Sequence, residues 1–172
     1  MKSQQSLRRL AESGVIAAMY VALSLCLAPL SFGPVQCRVA EALTLLPLIT
    51  PAAIPGLAVG CVITNSIGLA MGANIAGAAD ILLGTLATLA AAILTRALRH
   101  IRFGKVAVLS ALPPILINAL VIGAELAFVA FSPFSFEMFA LCAAEVGLGQ
   151  LIACGGGLAL VTGLERIKKF DQ

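Results

Sequence analysis

Arg38, Glu41, Asp80, Glu125 and Glu145 stand in or beside long apolar runs, with the amides Asn65, Asn118 and Gln150. A charge at mid-membrane costs at least ~2.5 kcal/mol on insertion scales, so buried ionisable groups of this kind are candidates for function. A carboxylate accepts two donors side by side, and an amide both donates and accepts; together they suit a small polar ligand. Two carboxyl groups could also serve as an acid/base pair. Each residue has a plainer reading as well. Arg38 and Glu41 could pair at an interface, Asp80 could complement a helix N-terminus, and the carboxyl and amide groups could bond across helices. Asn118 and Glu125 are seven residues apart and share a helical face, whereas Glu145 and Gln150, five apart, do so only loosely.

The elements that must hold these groups are membrane helices. Of the 172 residues, 60% are hydrophobic and 11% charged, against about 25% charged in soluble domains. The apolar runs are Ser13–Phe32, Val39–Met71, Ala73–Leu98, Val106–Phe131 and Phe136–Leu164. Four suit one helix each. The second would make a helix of about 50 Å against a hydrocarbon core of about 30 Å, and Pro47, Pro51 and Pro55 interrupt it. It divides into two short helices, about Val39–Ile49 and Ala53–Gly72. The expected fold is all-α, a single domain over 1–172 built as a bundle of six transmembrane helices.

Ten of the 11 basic residues fall into three clusters: Lys2, Arg8, Arg9; Arg96, Arg99, Arg102, Lys105; and Arg166, Lys168, Lys169. Basic flanks stay in the cytoplasm. Six passes place all three there, as a cytoplasmic N-terminus (1–12), a basic loop (96–105) and a tail (165–172); five passes would strand two of them outside. The basic lead and apolar stretch resemble a signal peptide, but the length of the stretch and the spans that follow favour an uncleaved first helix. On this topology Glu125 and Glu145 lie about 9 Å from the outer ends of their helices. Arg38, Glu41, Asn65, Asn74 and Asp80 also fall toward the outside, and Asn118 and Gln150 form a floor near mid-span. The inner half offers little beyond Thr95 and Thr162. That asymmetry points to a pocket open to the outside rather than a continuous ion path.

A net charge of +3, no Trp and one Tyr leave neither the basic surface nor the aromatic platforms of a nucleic-acid binder. Five cysteines without a CxxC pair, and one His, exclude a disulfide framework and a structural zinc site, so no metal is expected. No phosphate loop, HExxH or GxSxG is present. The chain reads as a non-enzyme without its own ATPase, and transport would be passive, ion-coupled or driven by partners. Ala11, Gly14, Ala18 and Ala22 form a stripe of small residues on the first helix, suited to close approach by another helix or to packing within the chain. Gly155, Gly156 and Gly157 mark a close crossing or a flexible point.

The stretch Phe32-Gly33-Pro34-Val35-Gln36-Cys37-Arg38-Val39-Ala40-Glu41-Ala42-Leu43-Thr44-Leu45-Leu46-Pro47, followed by Ala53-Ile54-Pro55-Gly56-Leu57, resembles the signature of the QueT family. Gly84-Thr85-Leu86-Ala87-Thr88-Leu89, Leu112-Pro113-Pro114-Ile115-Leu116-Ile117-Asn118-Ala119 and Glu145-Val146-Gly147-Leu148-Gly149-Gln150 extend the likeness along nearly the whole chain. QueT proteins are substrate-binding S components of energy-coupling factor (ECF) transporters, associated with queuosine precursors. The resemblance implies six helices in a prokaryotic plasma membrane and an outward pocket. It also implies a complex with one transmembrane coupling protein and two ATPases, which hydrolyse the ATP; no cofactor is expected in this chain. It further implies that Gly14, Ala18 and Ala22, with Ala11, meet the coupling protein, Gly14 standing where the family's AxxxA-type surface has Ala.

For a deazaguanine-like ligand, a carboxylate can accept the ring N–H and exocyclic amine together, and an aminomethyl group would supply a cation for a second. Glu145 and Glu125 are the first choices. Asn118 and Gln150 would read the carbonyl and ring nitrogens, Arg38 with Glu41 would shape the entrance, and Asn65 and Asp80 complete the expected site. The alternatives are an S component for another vitamin-like molecule, or a self-sufficient proton-coupled carrier using Glu125 or Glu145.

Overall fold

The computed structural model describes residues 2–32, 37–104, 106–130 and 133–170. Gly33-Pro34-Val35-Gln36 of the signature stretch, Lys105 of the basic loop and Phe131 of the fourth run lie outside them. The chain forms α1 (Lys2–Cys26), a single turn α2 (Ala28–Ser31), a 3₁₀ segment (Val39–Leu48), α3 (Ala53–Ala70), α4 (Ala79–Ala97), α5 (Leu112–Ala130) and α6 (Phe136–Phe170), with short 3₁₀ turns at Leu98–His100 and Val108–Ala111. Among the described residues there is no strand, only an isolated bridge between Phe103 and Val106. Five helices, α1, α3, α4, α5 and α6, are long and apolar enough to cross a membrane. Pro55 in α3 and Pro113 and Pro114 in α5 stand in first turns, where an amide has no intrahelical partner to lose.

Four boundaries differ from the sequence reading. The segment expected as an α-helix over Val39–Ile49 is a 3₁₀ helix, Val39–Leu48. It runs from Arg38, beside Asp80 of α4, to Pro47, whose carbonyl accepts from Arg96 at the far end of α4. Ten residues of 3₁₀ helix reach about 20 Å, where an α-helix would reach about 15 Å, so this apolar segment is extended yet shorter than the hydrocarbon core. The lead over 1–12 is helical, because α1 is continuous from Lys2. The run Ala73–Leu98 becomes helical only at Ala79, after turns containing Gly72 and Gly77 at φ 66° and 72°. Finally, α6 continues through the tail to Phe170, and its 35 residues make about 52 Å, longer than the hydrocarbon core.

The long helices pack in chain order, α1 on α3, α3 on α4, α4 on α5 and α5 on α6, and the 3₁₀ segment lies inside against α6, α4, α1 and α3. Ala40, Glu41, Leu43, Thr44 and Leu45 are consequently buried. Of the three glycines in the α6 run, Gly157 makes the close crossing: a Cβ there would overlap the carbonyl of Ala42, whereas Gly155 and Gly156 face open space. All five cysteines are unpaired thiols, and Cys61, Cys142 and Cys154 are buried among core residues. Arg8 of the first basic cluster and Arg96 and Arg102 of the second meet neighbours at one end of the bundle. Glu12 joins Arg8 to Thr50, Arg96 reaches Pro47, and Arg102 pairs with Glu165 at 2.7 Å through both Nη1 and Nη2.

Candidate functional site

The opposite half of the bundle holds the polar groups. Arg38 enters from the start of the 3₁₀ segment, with its guanidinium 5.4 Å from the centre of the Phe32 ring. Asp80 lies in the first turn of α4, where a negative charge complements the helix dipole. That position also brings it to Arg38: Arg38 Nη2 lies 3.5 Å from Asp80 Oδ2, and both side chains are buried. Asn74 donates to the same oxygen at 2.9 Å, and Asn65 on α3 donates to the Asp80 backbone carbonyl at 2.8 Å. Arg38 therefore pairs with Asp80 and not, as the plainer reading had it, with Glu41. Glu41 takes its hydrogen bonds from two other elements, from the hydroxyl of Tyr20 on α1 and from Asn118 Nδ2 on α5 at 3.3 Å.

These groups line one cavity. Its walls are Arg38, Glu41, Asp80, Gly84, Thr88, Asn118, Ile122, Val146 and Gln150. Its free space is about 10 Å³, and one water needs about 10–15 Å³ by the same measure. A ligand of purine size enters only if the lining side chains move apart.

Among the expected site residues, Arg38, Glu41, Asp80, Asn118 and Gln150 come together at this cavity. Asn65 lies behind it, holding Asp80. Glu125 is 4% exposed and sits one turn beyond Ile122, and neither of its carboxylate oxygens has a hydrogen-bond partner. Glu145 is half-buried on α6 and is not among the cavity walls, its place being taken by the next residue, Val146. Asp80 Oδ1 and Asn65 Oδ1 are also buried without a partner. The unpartnered oxygens here belong to acidic and amide groups, and at the cavity one guanidinium stands with two carboxyl groups, Glu41 and Asp80.

Tyr20, Asn74, Gly84 and Thr88 were not singled out as site residues from the sequence. Tyr20 had a signal. If Gly14, Ala18 and Ala22 form one face of α1, then Ile16, Ala17, Tyr20 and Ser24 form the other, and a buried phenol needs a hydrogen-bond partner. Gly84 has a steric reason: a Cβ there would collide with Asp80 Oδ1 and come within 2.9 Å of Asn65 Nδ2. Gly84→Ala gains about 1 kcal/mol of helix propensity but meets an overpacking cost of about 1–3 kcal/mol. We expect near-normal thermal stability with ligand affinity about tenfold lower, because Asp80 is the group that must turn aside. Equal affinity in a calorimetric titration would mean that the Asp80 carboxylate is not used.

The stripe on α1 is open. Ala11, Gly14, Ala18 and Ala22 are all exposed, and a Cβ on Gly14 would meet nothing within 4 Å. Packing within the chain uses the opposite face, with Ile16, Ala17 and Tyr20 buried. Among the described residues there is no group of three or more His, Cys, Asp or Glu side chains placed to hold a metal ion.

A search of the curated proteins and of the solved structures finds no significant match to the chain. The family model described as QueT transporter matches residues 10–166, a span that takes in every cavity wall and the small-residue face of α1. The chain is a membrane-integral member of the QueT transporter family.

Proposed function

We propose that the protein is the substrate-binding S component of an ECF-type importer. It takes up a queuosine precursor, a deazaguanine-like base, from the outside of a prokaryotic plasma membrane. It works with a transmembrane coupling protein and two ATPases, which supply the energy, and needs no cofactor of its own. The basic end then faces the cytoplasm, with both termini, and the cavity faces out.

One observation carries the substrate reading. Asp80 Oδ1, Asn65 Oδ1 and both oxygens of Glu125 are buried acceptors without donors, and leaving such groups unpaired costs about 1–3 kcal/mol each. A donor-rich base answers that deficit: its ring N–H and amine suit Asp80 or Glu41, and an aminomethyl cation suits Glu125. Asn118 and Gln150 would read the carbonyl and ring nitrogens, with Arg38 and Asn65 holding Asp80 in place. Glu145, outside the cavity walls, would act only at the rim. Gly14, Ala18 and Ala22, with Ala11, would receive the coupling protein.

Calorimetric titration of the purified protein with 7-aminomethyl-7-deazaguanine, its nitrile counterpart, riboflavin, thiamine and biotin tests the substrate. Heat is expected with the deazaguanines; binding of a vitamin alone would replace this substrate with another. The unpartnered Glu125 carboxyl also suits a second reading, a proton site in a self-sufficient carrier. Such a carrier would accumulate substrate in liposomes under a proton gradient without added ATPases, and no uptake under those conditions removes it.

A further inference from the structure

We propose that Tyr20 is a positioning residue for the Glu41 carboxylate, and that an occupied cavity acts on α1 through it; the inference rests on the cavity being the ligand site. Tyr20 is fully buried on the inner face of α1, and its hydroxyl donates to Glu41 Oε1. The other oxygen of Glu41 accepts from Asn118 at 3.3 Å. A carboxylate turns easily about its terminal bond, and two donors from different helices fix its plane, the bonds being strengthened by its charge. The root of the tyrosine is held at a close helix crossing. Gly60 of α3 lies so close that a Cβ there would stand 2.9 Å from Tyr20 Cβ. The orientation of Glu41 is therefore tied to the crossing of α1 and α3, two elements that contribute no cavity wall.

The same helix turns its small-residue face outward. Ala18 and Ala22, two residues to either side of Tyr20, are exposed. A ligand that donates to Glu41 must share its oxygens with Tyr20 or displace the phenol, and either change is felt on α1. The sequence makes this measurable, because the chain contains one Tyr and no Trp. Tyrosine labelled with ¹³C at Cζ gives a single resonance, and that carbon bears the hydroxyl in question.

The experiment uses the full chain in detergent, titrated with 7-aminomethyl-7-deazaguanine by calorimetry and by ¹³C NMR. The Tyr20 resonance should move in step with the heat of binding. Tyr20→Phe should raise Kd about tenfold, the loss of one charge-assisted hydrogen bond, and should add little once Glu41→Gln is present, because its effect passes through that carboxylate. A structural role alone would lower the thermal midpoint without changing Kd. Heat of binding with a stationary resonance, or with an unchanged Kd in Tyr20→Phe, overturns the inference and leaves the site reading intact. No heat with any deazaguanine overturns both. Should Tyr20→Phe fail to fold, the wild-type resonance decides.

Discussion

Arg38→Met should destabilise the protein by roughly 3–5 kcal/mol, the cost of stranding a buried charge by removing its partner. Arg38 is 7% exposed and Asp80 1%. Their separation of 3.5 Å makes a poor hydrogen bond, so the guanidinium acts here mainly as a charge, facing Asp80 with Glu41 and Glu125 nearby. Methionine keeps most of the volume and its contact with Phe32 while removing that charge. Unfolding in detergent by denaturant should show the loss directly. Adding Asp80→Asn should restore part of it, since the double variant leaves no unpaired ion at this position, and the cycle isolates the coupling. A loss below about 1 kcal/mol, or no recovery in the double variant, would show that Arg38 does not neutralise Asp80.

The same burial cost explains what the sequence could reveal. Charged groups in an apolar chain must find one another, so Arg38, Glu41, Asp80, Asn118 and Gln150 could be grouped before any coordinates, and they meet at one cavity. Which face of a helix each occupies is harder to read. Helix α6 is apolar all round, so nothing in its pattern distinguishes the Glu145 side from the side of Val146 and Gln150, which are four residues apart and share the cavity face. The 3₁₀ form of Val39–Leu48 was hidden for another reason. Its composition suits an α-helix as well, and nothing in the pattern of residue types separates the two coils. Tyr20 lies on the face of α1 opposite the small-residue stripe, and Gly84 acts by leaving space for Asp80, which no pattern of residue types displays. Residue chemistry marked the polar groups that line the cavity. Residues that position them became visible only with the packing.

Ala18→Trp should abolish assembly with the coupling protein and ATP-driven uptake together, while ligand binding by the isolated chain stays normal. Ala18 lies on the face of α1 that no described residue covers, in register with Gly14 and Ala22. Small side chains there let a second helix approach backbone to backbone and gain dispersion contacts that lipid tails match less closely. An indole would hold that helix several ångströms away. It should not disturb the fold, because the buried face of α1 is made by Ile16, Ala17 and Tyr20, and a tryptophan at position 18 points into lipid. Co-purification with the coupling protein and ATPases, uptake in reconstituted vesicles and calorimetry on the isolated variant separate the outcomes. Normal assembly would move docking to another face. Loss of ligand binding in the isolated variant would show instead that the outer face of α1 controls the cavity by itself.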